Sequence, residues 1–326
     1  MDRRRFLLTS LAGALAAQQA AQAQQAGKVY RIAFLGSTSR SSYASQVEAF
    51  RAGLRDLGYV EGKNVEIEFR WAEGNYARLP ELAAELVRLK PDVLVTHGPP
   101  GALAAKRATD TIPIVVGVIG EAIAIGAVEG LARPGGNVTG SSFFVLELNA
   151  KRLELLKEAF PRLSRVGVLL KRDNPVNAPV ISAMEPTAQA LKIQLQSVEV
   201  RDPADLETAV SALVRGHAGA FVVQEEAMLI AQAERIAELA RKHLLPTIGF
   251  IEYARAGGLL AFGVHFPALW RRAAVFVDRI FKGAKPADLP VEQATRFEVV
   301  INLKTAKALG LTIPPSLLAR ADQVIE

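Results

Sequence analysis

The amino-acid sequence predicts an α/β protein made of two doubly wound, Rossmann-like lobes. The chain has 326 residues, which suggests two domains of about 150 residues each. Half of its residues are hydrophobic and 22% are charged, a composition that excludes an intrinsically disordered chain. Short apolar runs alternate with segments of helical periodicity, and this alternation occurs once in each half of the chain.

The first 23 residues have the three parts of a secretory signal peptide. Asp2–Arg5 is positively charged, Leu7–Ala17 is apolar but too short to span a membrane, and Ala21–Ala23 offers a small-residue cleavage site. Arg3-Arg4 before Phe6-Leu7 resembles the twin-arginine variant, and a general secretory signal is the alternative. We therefore predict an exported protein from which residues 1–23 are removed.

The chain contains no cysteine, and this absence excludes several kinds of chemistry. Disulfides, zinc–cysteine sites, iron–sulfur clusters and thiol nucleophiles all require this residue, as does a lipid anchor at the cleavage site. The formal net charge is only +6 and is spread along the chain, so it does not predict a nucleic-acid partner. The sequence thus predicts a periplasmic protein without a lipid anchor.

Four strands and three helices are predicted in the first half of the mature chain. The apolar runs that predict strands are 31–36, 65–69, 93–96 and 112–116. Helical spacing of apolar residues predicts helices at 47–57 and 79–89, and an alanine-rich helix follows Pro100. The cluster Arg133–Asn137 predicts a turn at the end of this half.

The same plan is predicted again in the second half. A helix at 150–160 is followed by strands at 165–170, 195–200, 220–224 and 246–250, with helices at 181–191, 206–214 and 230–243. Strands that begin near residues 31, 65, 92 and 113 therefore recur near residues 165, 194, 219 and 246. This recurrence indicates two lobes of one architecture, each with parallel strands linked by helices.

The last part of the chain carries elements that have no counterpart in this repeat. Strands are predicted at 258–263 and 297–301, helices at 270–281 and 304–309, and a linker at 285–290. Leftover elements of this kind suit two lobes through which the chain passes more than once.

The sequence carries none of the motifs that would indicate an enzyme. G-x-G-x-x-G, the phosphate-binding G-x-x-x-x-G-K-[ST], H-E-x-x-H and G-x-S-x-G are all missing. The four histidines are widely separated, and although His97 and His265 both follow predicted strands, no third metal ligand accompanies them. We predict neither catalysis, nor a cofactor, nor a metal.

The carboxyl ends of the predicted strands carry the candidate ligand-binding residues. Ligands of open α/β sheets bind outside these ends, where glycines admit a ligand to the backbone and polar side chains orient it. The candidates are Ser37, Ser39, Thr96, His97, Gly98 and Gly117 in the first half and Asn174, Gln224, Glu225 and Phe250 in the second. Such residues also cap helices and form turns, so the whole set is stronger evidence for a binding site than any single residue.

Several segments distributed along the chain resemble one protein family. These segments are Gly58–Val65, Arg70–Gly74, Leu79–Ala83, Arg133–Gly140, Ala150–Leu156, Lys285–Gln293 and Val300–Gly310. They resemble the substrate-binding proteins of ABC transporters that are related to the uptake of tryptophan and other aromatic amino acids. The resemblance covers the whole chain after the signal peptide.

That resemblance implies a type I periplasmic binding fold, in which three crossing segments form a hinge between two lobes and the ligand lies in the hinge cleft. Val138–Ser142, Leu259–Val264 and the segment after Pro290 would be the crossings. The first lobe would then comprise residues 28–139 and 264–290, the second would comprise residues 140–258 and 291–326, and 259–263 would be a hinge crossing.

Two of the expected ligand loops depart from the pattern of this family. Asp-Pro loops are replaced here by Gly117–Glu121 and by Gln224–Glu226, whereas an Asn-Pro-x-Asn loop is retained at Asn174–Asn177. If the ligand is an amino acid, Glu225 is expected to bind its ammonium group. Ser37, Ser39 and Thr96 are expected to bind its carboxylate.

The predicted function is that of a periplasmic solute-binding protein of an ABC importer. A small molecule would close the two lobes around the hinge, and the closed monomer would deliver it to the permease transmembrane subunits. No nucleic acid and no stable membrane insertion are expected. Two alternatives stay open at this point, a periplasmic ligand sensor that feeds a signalling receptor and a secreted α/β enzyme.

Overall fold

The computed structural model describes residues 28–326, so the predicted signal peptide lies outside the described residues. The strands are, in chain order, β1 (Tyr30–Gly36), β2 (Val65–Trp71), β3 (Val93–Thr96), β4 (Ile114–Gly120), β5 (Val138–Phe143), β6 (Arg165–Lys171), β7 (Gln194–Val200), β8 (Ala220–Val223), β9 (Thr247–Gly249), β10 (Leu260–Val264), β11 (Glu292–Gln293), β12 (Phe297–Asn302) and β13 (Gln323–Ile325).

The α-helices connect these strands and cover both sheets. They are α1 (Ala44–Asp56), α2 (Leu79–Arg88), α3 (Gly98–Ala108), α4 (Val145–Ala159), α5 (Asn177–Ala190), α6 (Leu206–Arg215), α7 (Ala227–Ala231), α8 (Ala233–Lys242), α9 (Ile251–Arg255), α10 (Phe266–Phe281), α11 (Leu303–Ala308) and α12 (Pro315–Leu318). Short 3-10 turns occur at Tyr76–Arg78, Pro203–Asp205 and Pro286–Asp288.

The strands of residues 28–326 form two sheets, one in each lobe. The first has six strands in the order β11-β5-β4-β3-β1-β2, and all of its pairs are parallel. The second has seven strands in the order β13-β12-β10-β9-β8-β6-β7, of which only the β10–β12 pair is antiparallel. The prediction of two α/β lobes is confirmed.

The central strands are apolar along their length because helices cover them on both faces. All seven residues of β4 are buried, whereas β2, at one sheet edge, alternates as its sequence VEIEFRW predicts. Helix α10 packs on α1 at the site of Gly53, where a Cβ atom would lie only 2.5 Å from the carbonyl oxygen of Arg271. Helix α10, from the last quarter of the chain, thus completes the first lobe.

The three crossings differ in detail from the expected lobe boundaries. Residues 138–143 pair with β4 and residues 292–293 pair with β5, so both segments extend the first sheet. Residues 260–264 pair with β9 and β12 and belong to the second sheet. The physical reason is that crossing segments satisfy their backbone groups by adding to the nearest sheet, so the chain changes lobes just beyond each of these strands.

Within residues 28–326, no helix combines the length and the apolar character that crossing a membrane requires. The same part of the chain contains no group of three or more His, Cys, Asp or Glu residues that could hold a metal ion.

Candidate ligand-binding site

A cavity lies between the two lobes at the carboxyl ends of their strands. The empty space within its lining, open solvent included, is about 520 Å³. The first lobe contributes the loops that follow β1, β2 and β3 and the end of β4, and the second contributes the loops that follow β6 and β8. Its lining consists of Ser37, Tyr43, Tyr76, His97, Gly98, Pro99, Pro100, Val118, Ile119, Gly120, Phe143, Val145, Asn174, Val176, Glu225, Glu226, Ala227, Ile230 and Phe266.

The wall formed by the first lobe presents hydrogen-bond donors. The backbone N–H of Ser37 donates to Nε2 of His97 over 3.1 Å, so the neutral imidazole carries its proton on Nδ1. Burial lowers the pKa of His97 to about 3, which keeps the ring uncharged at neutral pH. The Ser37 hydroxyl is buried and has no hydrogen-bond partner among residues 28–326. Helix α3 begins at Gly98, and its N-terminus adds partial positive charge beside these groups.

The rings of Tyr43 and Trp270 support His97 in this wall. The Tyr43 and His97 rings are nearly parallel with centroids 4.1 Å apart, and Trp270 of α10 meets Tyr43 edge-on at 5.5 Å. The Trp270 indole N–H donates to the Tyr43 hydroxyl over 3.2 Å. The stacking on Tyr43 and the hydrogen bond from the Ser37 N–H to Nε2 together hold His97 in this orientation.

The wall formed by the second lobe presents two carboxyl groups. Glu226 Oε2 accepts hydrogen bonds from the backbone N–H groups of Met228 (2.9 Å) and Leu229 (3.2 Å) and so caps α7. Burial raises the pKa of Glu226 to about 8. Glu225 Oε1 lies 2.8 Å from Arg152 Nη2, and both side chains are fully buried. Burial raises the pKa of Glu225, and the Arg152 guanidinium opposes that shift.

Apolar side chains fill most of the space between these two walls. Phe143, Val145 and Phe266 come from the hinge region, where β5 leads into α4 and β10 leads into α10. Tyr76, Val118, Ile119, Val176 and Ile230 complete the apolar lining. A cavity of this kind suits a ligand that has a charged or polar end and an apolar body.

Five of the ten candidate residues line the cavity. Ser37, His97 and Gly98 lie on the wall of the first lobe, and Asn174 and Glu225 lie on the wall of the second. The structure brings these residues together although at least 76 positions separate the two groups in the sequence.

The other five candidates lie outside the cavity lining. The Ser39 hydroxyl bonds to that of Ser42 at 2.6 Å, and the Thr96 hydroxyl donates to the Leu35 carbonyl oxygen at 3.0 Å. Gly117 lies against Trp270, whose ring would be 2.7 Å from an added Cβ atom.

Gln224 and Phe250 are also candidates that the structure places behind the lining. Both are fully buried, and the Phe250 ring packs against Tyr253 with centroids 5.8 Å apart. The residues of the loop after β8 that reach the cavity are the two that follow Gln224, namely Glu225 and Glu226.

Sequence reasoning missed several residues that line the cavity. Tyr43 and Tyr76 belong to the loops after β1 and β2 and lie several residues beyond the ends of these strands. Glu226 is adjacent to a candidate, and its position before a helix is the signal that could have identified it. Phe143 and Phe266 flank the crossings, which only the folded chain brings to the cavity.

Comparisons with known proteins agree with this arrangement. The family model described as "ABC transporter substrate binding protein" matches residues 31–325. The chain is 26% identical to the "Tyrosine-binding protein" of Clostridioides difficile (strain R20291) over 265 residues, which is 81% of this chain and 76% of that protein.

Two solved structures are also similar over most of the chain. A conserved domain protein from Vibrio cholerae superposes with a TM-score of 0.85 at 28% identity, over 91% of this chain and 100% of the other. The ABC domain in complex with L-Trp from Streptococcus pneumoniae gives a TM-score of 0.82 at 25% identity, over 90% of this chain and 100% of the other. With its two-lobed fold, its interlobe cavity and a family match from residue 31 to residue 325, the chain belongs to the substrate-binding proteins of ABC transporters.

Proposed function

We propose that this protein binds an amino acid with an apolar or aromatic side chain in the interlobe cavity and delivers it to an ABC permease. The observation that carries this proposal is the opposition of two walls. The first lobe presents the Ser37 hydroxyl and the N-terminus of α3, and the second presents the carboxyl oxygens of Glu225 and Glu226 as hydrogen-bond acceptors. A carboxylate fits the first wall and an ammonium group fits the second.

The apolar lining of the cavity indicates that the ligand has an apolar side chain. Once the two charged ends of an amino acid are held, its side chain faces Phe143, Phe266 and their apolar neighbours. The names of two relatives support this ligand class, because one is a tyrosine-binding protein and the other was solved with L-Trp. We further propose that the protein acts as a periplasmic monomer without enzymatic activity after removal of residues 1–23.

Calorimetric titration of residues 24–326 with the L-amino acids tests this function. We expect aromatic or large aliphatic amino acids to bind and to raise the melting temperature, because the ligand binds only the folded state. Ser37→Ala should weaken binding by about tenfold to a hundredfold, since a hydrogen bond to a carboxylate is lost.

The matched control is Ser39→Ala, because the Ser39 hydroxyl is held by Ser42 outside the cavity lining. This variant should bind as tightly as the wild type. If no amino acid binds to the wild-type protein, or if both serine variants bind equally well, the proposed ligand orientation is wrong.

A further inference from the structure

The loop of residues 73–76 is fixed to the binding wall of the first lobe. The Gly74 N–H donates to the Ser37 carbonyl oxygen over 3.0 Å, and the Glu73 N–H donates to the Thr38 carbonyl oxygen over 3.3 Å. Glu73 and Gly74 both have positive φ angles, 54° and 80°, which turn the chain sharply at this point. The loop therefore moves with the segment that carries Ser37.

The same loop contacts the second lobe at the mouth of the cavity. Lys171, the last residue of β6, places its Nζ atom 4.7 Å from the centroid of the Tyr76 ring. Beside this contact, a Cβ atom on Gly74 would lie 3.8 Å from Met228 Cγ of α7. Lys171 is only 3% exposed, and its Nζ also donates to the Arg172 carbonyl oxygen over 3.2 Å. The lysine is therefore held in place where it meets the ring.

Tyr76 separates the cavity from the groove outside it. Its side chain lines the cavity and also lines the surface groove that Lys171, Asp173 and Asp202 border. Burial lowers the pKa of Lys171, and Asp173 and Asp202 oppose that shift, so these carboxylates favour the charged ammonium. A lysine ammonium over an aromatic face is attracted by the negative potential of the ring, most strongly where water is excluded.

We propose that Tyr76 and Lys171 form a latch between the lobes that sets how long a bound ligand stays. The contact joins a loop of the first lobe to a strand end of the second, so it exists only when the lobes are closed. Opening the cleft must break it, and each ligand molecule leaves through that opening. The inference rests on the proposed function only in taking the cavity as the place of the ligand.

Stopped-flow measurement of dissociation tests the latch, with L-tyrosine and L-tryptophan as the probes. Tyr76→Leu and Lys171→Met should each raise the dissociation rate constant by about fivefold to tenfold, with little change in the association rate constant. The double variant should be no faster than the faster single variant, because both substitutions remove one interaction.

Conservative variants separate the latch from a simple packing role. Tyr76→Phe keeps the ring and Lys171→Arg keeps the cation, so both should dissociate at nearly the wild-type rate. If Tyr76→Leu speeds dissociation while Lys171→Met does not, Tyr76 is only part of the cavity wall and the latch is wrong. Purely additive effects in the double variant would also contradict it.

A second measurement needs no ligand and keeps the two proposals distinct. The chain has no cysteine, so Glu81→Cys in α2 and Thr208→Cys in α6 provide two unique labelling sites, one in each lobe. The distance distribution between spin labels should contain a short, closed population that Lys171→Met reduces. If neither amino acid binds but this population responds, only the proposed function fails. If no closed population occurs with or without either amino acid, or if it does not respond to Lys171→Met, the latch fails.

Discussion

Gly117 shows how a single residue shapes the wall behind the cavity. The position has no side chain of its own, and the indole of Trp270 occupies the space that one would need. Trp270 in turn holds Tyr43, and Tyr43 stacks on His97, which lines the cavity. A residue expected to touch the ligand thus supports the site through three successive contacts.

Gly117→Ala should therefore destabilise the protein by about 1–3 kcal/mol, the usual cost of overpacking a filled core. An added Cβ atom would lie 2.7 Å from the ring of Trp270, and that side chain is fully buried. Urea denaturation measures this loss. Gly136→Ala is the matched control, because a Cβ atom there meets nothing within 4 Å and should leave stability nearly unchanged. Equal stability of the two variants would contradict this role for Gly117.

At the scale of residues, the sequence predicts which loops carry the site better than which side chains reach it. Ser37 and Ser39 are equally plausible in the sequence, yet only Ser37 faces the cavity because the Ser39 hydroxyl is held by Ser42. Tyr76 lies beyond a strand end, and its approach to Lys171 depends on how the lobes meet. Local sequence patterns hold no information about how the two lobes pack against each other.

At the scale of elements, one arginine joins three parts of the second lobe. Arg152 of α4 donates to the Phe262 carbonyl oxygen of β10 from Nε (2.9 Å) and Nη2 (2.6 Å). Its Nη2 also lies 2.8 Å from Oε1 of Glu225, the second residue after β8. Both Arg152 and Glu225 are charged groups in a dry environment, so each depends on the other.

Arg152→Met should destabilise the protein by about 3–5 kcal/mol, because Glu225 is left buried without its partner. Arg152→Met combined with Glu225→Leu should recover part of this loss, since no uncompensated charge remains. Arg172→Met is the control, because its pair with Glu199 is exposed and contributes at most about 1 kcal/mol. Denaturant titration compares the four proteins, and a double variant less stable than Arg152→Met would contradict the pairing argument.

Most strands and helices could be predicted from periodicity, because parallel strands and amphipathic helices leave clear local patterns. The strands predicted to start near residues 31 and 165 are β1 and β6. Those predicted to start near residues 65 and 194 are β2 and β7. The predicted helix at 230–243 is divided into α7 and α8 at Gln232. The antiparallel pairing of β10 with β12 could not be predicted, because the two strands are distant in the sequence and no local pattern marks them as partners.

At the scale of the whole molecule, buried acids make stability depend on pH. Burial raises the pKa of Glu226 to about 8 and that of Glu252 to about 7, from 4.5 in both cases. Both groups therefore stabilise the fold at low pH and lose that contribution as the pH rises through the folded values. Buried His97 acts oppositely, because its pKa is lowered from 6.5 to about 3 and its contribution is lost as the pH falls below 6.5.

Stability should consequently decrease as the pH rises from about 6.5 to about 8, where only the acids among these three groups still change. Glu226 alone should account for up to about 2 kcal/mol of that decrease. Glu226→Gln should flatten the slope of unfolding free energy against pH, whereas the exposed Glu207→Gln should not. Denaturation at closely spaced pH values measures both slopes, and an unchanged slope in Glu226→Gln would contradict the assignment.

The return of the chain to its first lobe through α10 and β11 has a consequence for the order of folding. Residues 30–143 are synthesised early. The apolar surface formed by Phe34 and Phe50, however, is covered by Trp270 of α10, which is synthesised much later. The first lobe therefore cannot mature ahead of the second, as an independent N-terminal domain would. We expect both lobes to finish folding only when residues 266–325 are available, because α10 and β11 complete the first lobe and β12 and β13 complete the second.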